Sequence, residues 1–203
     1  MRIIGKALLL ACIISISFIS LNAQKYHIVI DKPKFTLSVY EVGSNALVAT
    51  YPVCLGTNLG QKQKVGDRKT PEGEFTVSMI QDASSWTHDF KDGGGVRKGA
   101  YGPWYFRLYT PPHTGIGIHG TCFPERIGTR DSEGCIRLKN EDLVQLKKYI
   151  QKGTKVKITP DFPNGEPVAQ KTVGAKPQVK KGKAVTTTKA KQAPRTTAKQ
   201  VRK

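Results

Sequence analysis

Residues 118–138 read IHGTCFPERIGTRDSEGCIRL and place His119 and Cys135 each beside a glycine. A thiol near an imidazole can carry out covalent acyl transfer, because the thiolate attacks a carbonyl while the imidazole takes up the proton and later returns it. Gly134, directly before the cysteine, permits close approach of a substrate and unusual backbone angles. The segment therefore favours a cysteine nucleophile, and the competing interpretation is a small cysteine in the core.

Two other chemistries agree less well with these residues. His113, His119, Cys122 and Cys135 could be considered as zinc ligands, but their spacing is irregular and contains no compact ligand pair. A papain-like enzyme would place its cysteine well before its histidine along the chain, which is the reverse of the order here. We therefore predict a site without a metal or another cofactor.

The first 23 residues have the pattern of a secretory signal peptide. Arg2 and Lys6 precede an apolar run over 7–19, and small or polar residues follow as far as Ala23. The run is shorter than the ~20 residues that a membrane span needs. An uncleaved anchor or an acylated Cys12 is the alternative. The predicted location is the periplasm or the cell wall.

More than half of the formal net charge of +18 lies near the carboxyl end. Residues 164–203 hold 11 Lys or Arg and one acid, and their composition predicts disorder. Outside a cell, such a tail would meet anionic wall or membrane components rather than nucleic acid. We therefore predict an electrostatic contact for residues 163–203, with a solvated linker that has no specific partner as the alternative. The oligomeric state is unknown from the sequence.

Residues 24–162 predict one mainly β domain, a β-sandwich or mixed sheet with one or two helices. Alternating or apolar runs predict strands over 26–30, 35–40, 46–55, 75–80, 104–109, 115–119 and 155–159, the first three as a meander. Asn140 is predicted to cap a helix that ends before Gly153. Cys54 and Cys122 could form a disulfide that leaves Cys135 free, and a buried unpaired Cys54 is equally consistent.

The HG pair, a spacer and then S-x-G-C-I-R-L resembles the signature of the L,D-transpeptidase catalytic domain, the YkuD family. Residues 66–75, GDRKTPEGEF, and 100–104, AYGPW, are similar to two further segments of that family. The resemblance spans about residues 26–159. One position departs from it: the residue before Gly134 is often His or Arg in the family and is Glu133 here, which bears on substrate preference.

The resemblance implies a role for each site residue. Cys135 would be the nucleophile and His119 the general base and acid, oriented by a backbone carbonyl near Gly120. The histidine is expected to lower the pKa of the thiol. Backbone amides of Gly134 and Cys135 would form the oxyanion hole. Substrate contacts are expected from Arg137, Ser132, Gly120, Trp104 and Tyr101. Aromatic residues could line a groove or lie in the core: Trp86, Tyr101, Trp104 and Tyr105.

The implied substrate is a peptidoglycan stem peptide. Cys135 would attack the carbonyl of the third residue, terminal D-Ala would leave, and an amine of a second stem would resolve the acyl-enzyme into a 3→3 cross-link. The acceptor could also be a protein or a small amine. The alternatives are an L,D-carboxypeptidase or an amidase on the same scaffold, and a non-catalytic wall-binding module. A sortase would place its arginine further downstream than Arg137.

Overall fold

The structure, a computed structural model, describes residues 24–162. The predicted signal peptide (1–23) and basic tail (163–203) lie outside the described residues. Within the described part the strands are β1 (Tyr26–Asp31), β2 (Thr36–Glu41), β3 (Leu47–Pro52), β4 (Leu55–Gly56), β5 (Gly73–Asp82), β6 (Thr87–Asp89), β7 (Val96–Lys98), β8 (Trp104–Tyr109), β9 (Gly117–His119), β10 (Arg130–Ser132), β11 (Ile136–Arg137) and β12 (Lys155–Ile158). The helices are α1 (Asn140–Leu146) and the 3-10 turns Pro124–Arg126 and Lys147–Tyr149. Over residues 24–162, no helix has the length and apolar character that crossing a membrane requires.

Eight strands form one mixed sheet in the order β11-β9-β8-β5-β12-β1-β2-β3. The predicted mainly β fold is confirmed, and the first three strands form the predicted antiparallel meander at one edge. β12 lies between β1 and β5, parallel to the first and antiparallel to the second. At the other edge β9 and β11 pair in parallel. Two small sheets, β4 with β10 and β6 with β7, complete the described strands.

The strand predicted over 46–55 is divided in the structure. β3 ends at Pro52, and the next N–H, that of Val53, still donates to Phe35 O at 2.8 Å. Cys54 then exchanges two backbone hydrogen bonds with Arg137, at 2.8 and 2.9 Å. Leu55–Gly56 pairs with β10. The divided strand therefore braces the segment that carries Cys135.

Side chains that alternate between the two faces of the sheet separate the hydrophobic core from the candidate site. Phe106, Ile118 and Ile136 are fully buried, are paired across β8, β9 and β11, and belong to one hydrophobic cluster. Successive side chains of a strand point to opposite faces of the sheet. The residues that precede or follow these three therefore lie on the other face, where the candidate site is found.

The predicted helix is present but begins and ends differently. Lys139 occupies the N-cap without a side-chain hydrogen bond, so the capping role predicted for Asn140 is wrong. Asn140 Oδ1 instead accepts the N–H of Thr121 at 2.9 Å. The α-helix ends at Leu146, and a 3-10 turn follows it. Through this hydrogen bond, Asn140 anchors the segment that follows His119.

Candidate active site

Strand register brings four side chains to one cavity. His119 lies opposite Arg137 of β11 and opposite Tyr105 of β8. Cys135 directly precedes β11, and its Sγ lies 3.7 Å from the Tyr105 hydroxyl. All four line a cavity of about 680 Å³, a size typical of small-ligand sites. The sheet therefore places the predicted nucleophile and the predicted base in the same cavity.

Tyr105 connects the thiol with the imidazole. Its ring stacks on His119 with a centroid distance of 5.4 Å and an interplanar angle of 15°. Its hydroxyl donates to Gly115 O at 2.9 Å and lies 3.7 Å from Cys135 Sγ. Gly117 leaves room for this ring, since a Cβ there would lie 2.5 Å from Tyr105 Cε1. A glycine in β9 is therefore a requirement of the site.

His119 is oriented by the backbone and held in its neutral form. Its Nδ1 lies 2.7 Å from Gly120 O, so Nδ1–H donates to this carbonyl and Nε2 keeps its lone pair. Burial lowers the pKa of His119 to about 3, and the positive charge of Arg137 acts in the same direction. At neutral pH the imidazole is uncharged and can accept a proton at Nε2.

Cys135 is a thiol rather than a thiolate in the resting site. Burial raises its pKa, although the Tyr105 hydroxyl, the Gly117 amide and Arg137 act in the opposite direction. Its S–H donates to Gly115 O at 3.4 Å. The expected lowering of the thiol pKa by His119 is not found, because a neutral imidazole supplies no positive charge.

The turn before Cys135 depends on Gly134 and Ser132. Gly134 has φ +126°, and a Cβ there would lie 2.8 Å from Lys69 O. The Ser132 hydroxyl is fully buried, accepts the Gly134 N–H at 3.1 Å and donates to Cys135 O at 2.5 Å. The predicted substrate contact Ser132 therefore shapes this turn. An oxyanion would compete with the hydroxyl for the Gly134 amide.

Arg137 combines burial with free hydrogen-bonding capacity. It is 5% exposed, and its guanidinium lies over the Phe90 ring at 5.1 Å. Its Nη1 is 3.5 Å from Asp131 Oδ2. Its buried Nε has no hydrogen-bond partner within residues 24–162. Arg137 also lines the cavity, and a guanidinium so placed is suited to an anionic ligand.

The other predicted substrate contacts, Tyr101, Trp104 and Gly120, differ in where the structure places them. Tyr101 lines the cavity, and its ring lies 4.9 Å from that of His119. Trp104 does not line it, and this part of the prediction is corrected: in β8 it shares the face of Phe106, packs against the core and lies 3.5 Å below Lys147 Nζ. Gly120 serves through its backbone, with its carbonyl at His119 and its N–H donating to Tyr101 O at 2.7 Å.

A hairpin formed by β6 and β7 adds residues that the sequence did not indicate. His88 of β6 lies 3.1 Å from Glu133 through Nε2 and 3.1 Å from the Tyr101 hydroxyl through Nδ1. His88 and Glu133 both line the cavity. His88 stands far from the Cys135 segment in the chain and belongs to no recognisable motif, so only the fold reveals this contact.

The remaining cysteines and histidines lie apart from this arrangement. Cys54, Cys122 and Cys135 are all free thiols. His113 Nε2 lies 3.0 Å from Lys62 O. Within residues 24–162, no group of three His, Cys, Asp or Glu side chains is arranged to hold a metal ion.

A mixed sheet that presents a thiol and a neutral imidazole in one cavity defines a candidate cysteine-dependent acyltransferase. The family model of the L,D-transpeptidase catalytic domain, YkuD, matches residues 25–158. The chain therefore belongs to the L,D-transpeptidase catalytic domain family, and the predicted resemblance is confirmed.

Known relatives agree with this assignment. The chain is 33% identical over 135 residues to the L,D-transpeptidase YkuD of Bacillus licheniformis, covering 66% of each protein. It is 32% identical over 133 residues to YkuD of Bacillus subtilis, covering 66% of this chain and 65% of that protein. The match thus spans just under two thirds of the length of these relatives.

A solved structure agrees at the level of the fold. The helical cell shape determining protein Pgp2 (K307A mutant) of Campylobacter jejuni aligns with a TM-score of 0.51 and 22% identity. The alignment covers 66% of this chain and 47% of that one.

Proposed function

We propose that this protein is an L,D-transpeptidase that forms 3→3 cross-links between peptidoglycan stem peptides through a thioester on Cys135. The observation that carries the proposal is the presence of the Cys135 thiol and a neutral, oriented His119 in the lining of one cavity. Transfer to a protein or a small amine is the same chemistry with another acceptor.

In the first step the Cys135 sulfur attacks the carbonyl carbon of the third stem residue. The thiol proton passes to His119 Nε2, because Nδ1 already holds the hydrogen donated to Gly120. Burial disfavours the imidazolium, so His119 readily gives this proton to the nitrogen of D-Ala as the C–N bond breaks. The products are the thioester and free D-Ala.

In the second step an amine of another stem attacks the thioester carbon. The new C–N bond forms, the C–S bond breaks, and His119 transfers the amine proton to the departing sulfur. Tyr105 assists both steps, because its hydroxyl lies near the sulfur and lowers the pKa of Cys135 relative to burial alone. The Gly134 and Cys135 amides are the proposed oxyanion hole, with Ser132 released from Gly134 on binding.

The charge of the cavity supports a substrate with free carboxylates. Cationic side chains in its lining are Lys62, Arg68, Lys91, Arg107 and Arg137. Arg137 is the proposed contact for a stem carboxylate, because it lines the cavity and its Nη1 approaches Asp131 Oδ2 only to 3.5 Å. Export directed by residues 1–23 would place the enzyme where this substrate is found.

The test is muropeptide analysis after purified protein has been incubated with wall sacculi. New 3→3 dimers are expected with the wild type and with Cys122→Ala, a matched control in which a free thiol outside the cavity lining is removed. Cys135→Ala should form none while remaining folded. The appearance of tripeptides alone would instead identify an L,D-carboxypeptidase. Release of a wall-bound protein would identify an amidase. Wall binding with unchanged muropeptides would identify a non-catalytic module.

A further inference from the structure

The cavity holds one carboxylate among several cations. Of the side chains that line it within residues 24–162, only Glu133 is acidic, whereas five are Lys or Arg. Three of the five pair with carboxylates outside the lining, Lys62 with Asp67, Lys91 with Asp89 and Arg137 with Asp131. Arg68 and Arg107 have no ion pair within residues 24–162, so the lining attracts anionic groups, and the lining carboxylate that an ammonium group can meet is Glu133. The two proposed substrates differ in this respect, because the donor stem presents carboxylates and the acceptor presents an amine that is protonated in neutral water.

The Glu133 carboxylate is held in place by a chain of hydrogen bonds. The distances fit a His88 tautomer in which Nε2–H donates to Glu133 Oε2 and Nδ1 accepts from the Tyr101 hydroxyl. Tyr101 in turn packs against the His119 ring at 4.9 Å. The side chain of Glu133 is nevertheless 49% exposed. The carboxylate is thus both fixed and open to a ligand.

We propose that Glu133 binds the ammonium group of the acyl acceptor and thereby favours an amine over water in the second half-reaction. This inference rests on the proposed function and deepens it by assigning the acceptor subsite. His88 and Tyr101 are positioning residues for Glu133.

The position of Glu133 suits this task. One residue, Gly134, separates it from Cys135, so their Cα atoms are at most ~7 Å apart. The negative charge of Glu133 also contributes to raising the pKa of Cys135, which places the carboxylate in electrostatic reach of the sulfur.

The bound ammonium must lose a proton before it can react. It releases one proton to solvent, and the neutral amine attacks the thioester carbon. The C–N bond forms, the C–S bond breaks, and the second proton passes through His119 to the sulfur. Glu133 binds and orients the acceptor in this scheme and gains or loses no proton.

The test separates the two half-reactions and the two kinds of acceptor. Formation of the Cys135 thioester from a tetrapeptide stem is followed by mass spectrometry. Its transfer is then measured to a cationic acceptor, a second stem with a free side-chain amine, and to hydroxylamine, which is uncharged at neutral pH. Glu133→Gln removes the charge but keeps an oxygen that can accept from His88. Glu125→Gln is the matched control, because Glu125 is 65% exposed and lies outside the cavity lining.

Glu133→Gln should form the thioester no more slowly than the wild type, because the variant lacks a charge that raises the pKa of Cys135. It should raise the KM for the cationic acceptor about tenfold, as expected for loss of a charge-assisted hydrogen bond. Transfer to hydroxylamine should not change, and Glu125→Gln should match the wild type with both acceptors. An unchanged KM for the cationic acceptor, or equal losses with hydroxylamine, would overturn the assignment of Glu133. Absence of any thioester in the wild type would instead refute the proposed function, and this inference with it.

Discussion

Replacing Gly117 by alanine tests whether the Tyr105 ring needs the space that the absence of a Cβ at Gly117 provides. The backbone of Gly117 does not have a positive φ, so alanine is conformationally acceptable there. Its Cβ would lie 2.5 Å from Tyr105 Cε1 and 2.7 Å from the Tyr105 hydroxyl oxygen. Ordinary carbon contacts are about 3.5–4.0 Å, so the ring must move by roughly 1 Å.

The expected cost follows from what this shift breaks. Overpacking costs about 1–3 kcal/mol, and loss of the hydrogen bond from Tyr105 to Gly115 adds about 1 kcal/mol. We therefore expect the free energy of unfolding to fall by about 2–4 kcal/mol. Because a displacement of about 1 Å at a reacting group can reduce the rate about 100-fold, acylation of Cys135 should slow by a similar factor.

A double-mutant cycle with Tyr105→Ala distinguishes this mechanism from a general effect of the extra methyl group. Urea unfolding gives stability, and mass spectrometry gives the rate of thioester formation. In the Tyr105→Ala background the ring is absent, so Gly117→Ala should cost less than about 0.5 kcal/mol and should not slow acylation further. Equal costs in both backgrounds would refute the reasoning.

Three further predictions concern single features. Burial lowers the pKa of His119 from its ordinary value of 6.5 to about 3. Between pH 6.5 and about pH 3 the histidine is therefore protonated in the unfolded chain but not in the native state. Stability should thus fall as the pH drops through this window, and urea titrations should show a flatter dependence for His119→Gln; an unchanged slope would contradict a buried neutral histidine. A carbapenem should form one adduct by mass spectrometry, lost in Cys135→Ala and retained in Cys122→Ala; an adduct on another residue would count against Cys135 as nucleophile. Deleting residues 171–203 should weaken association with wall sacculi in a salt-dependent manner and spare acylation, whereas unchanged sedimentation with sacculi would leave the tail as a passive linker.

Several local features were predictable because they depend on short stretches of chain. The meander of β1, β2 and β3 follows from alternating runs separated by turns, and the structure confirms it. A glycine at position 134 permits unusual backbone angles, and its φ is +126° in the structure. The motifs of His119 and Cys135 resemble the family together with residues 66–75 and 100–104, and the family match confirms this resemblance.

The errors arose where a distant partner decides the outcome. Asn140 has a side chain suited to capping, but its Oδ1 accepts a hydrogen bond from the N–H of Thr121, which the fold brings close. The strand predicted over 46–55 stops at Pro52, because the next residues pair with β10 and Arg137 rather than with β2. Neither competing partner can be identified from local sequence.

The sequence by itself determined the family, the mainly β fold and the candidate pair His119 and Cys135, because these depend on motifs and on local periodicity. Only the tertiary structure decided which aromatic residue serves the site. Neighbouring residues of β8 face opposite sides of the sheet, and the register with β9 places Tyr105 beside His119, whereas Trp104 packs against the core. It also decided that His88 meets Glu133, since His88 lies in the separate sheet of β6 and β7 and Glu133 lies in the turn between β10 and β11. A contact between segments so distant in the chain depends on the whole fold.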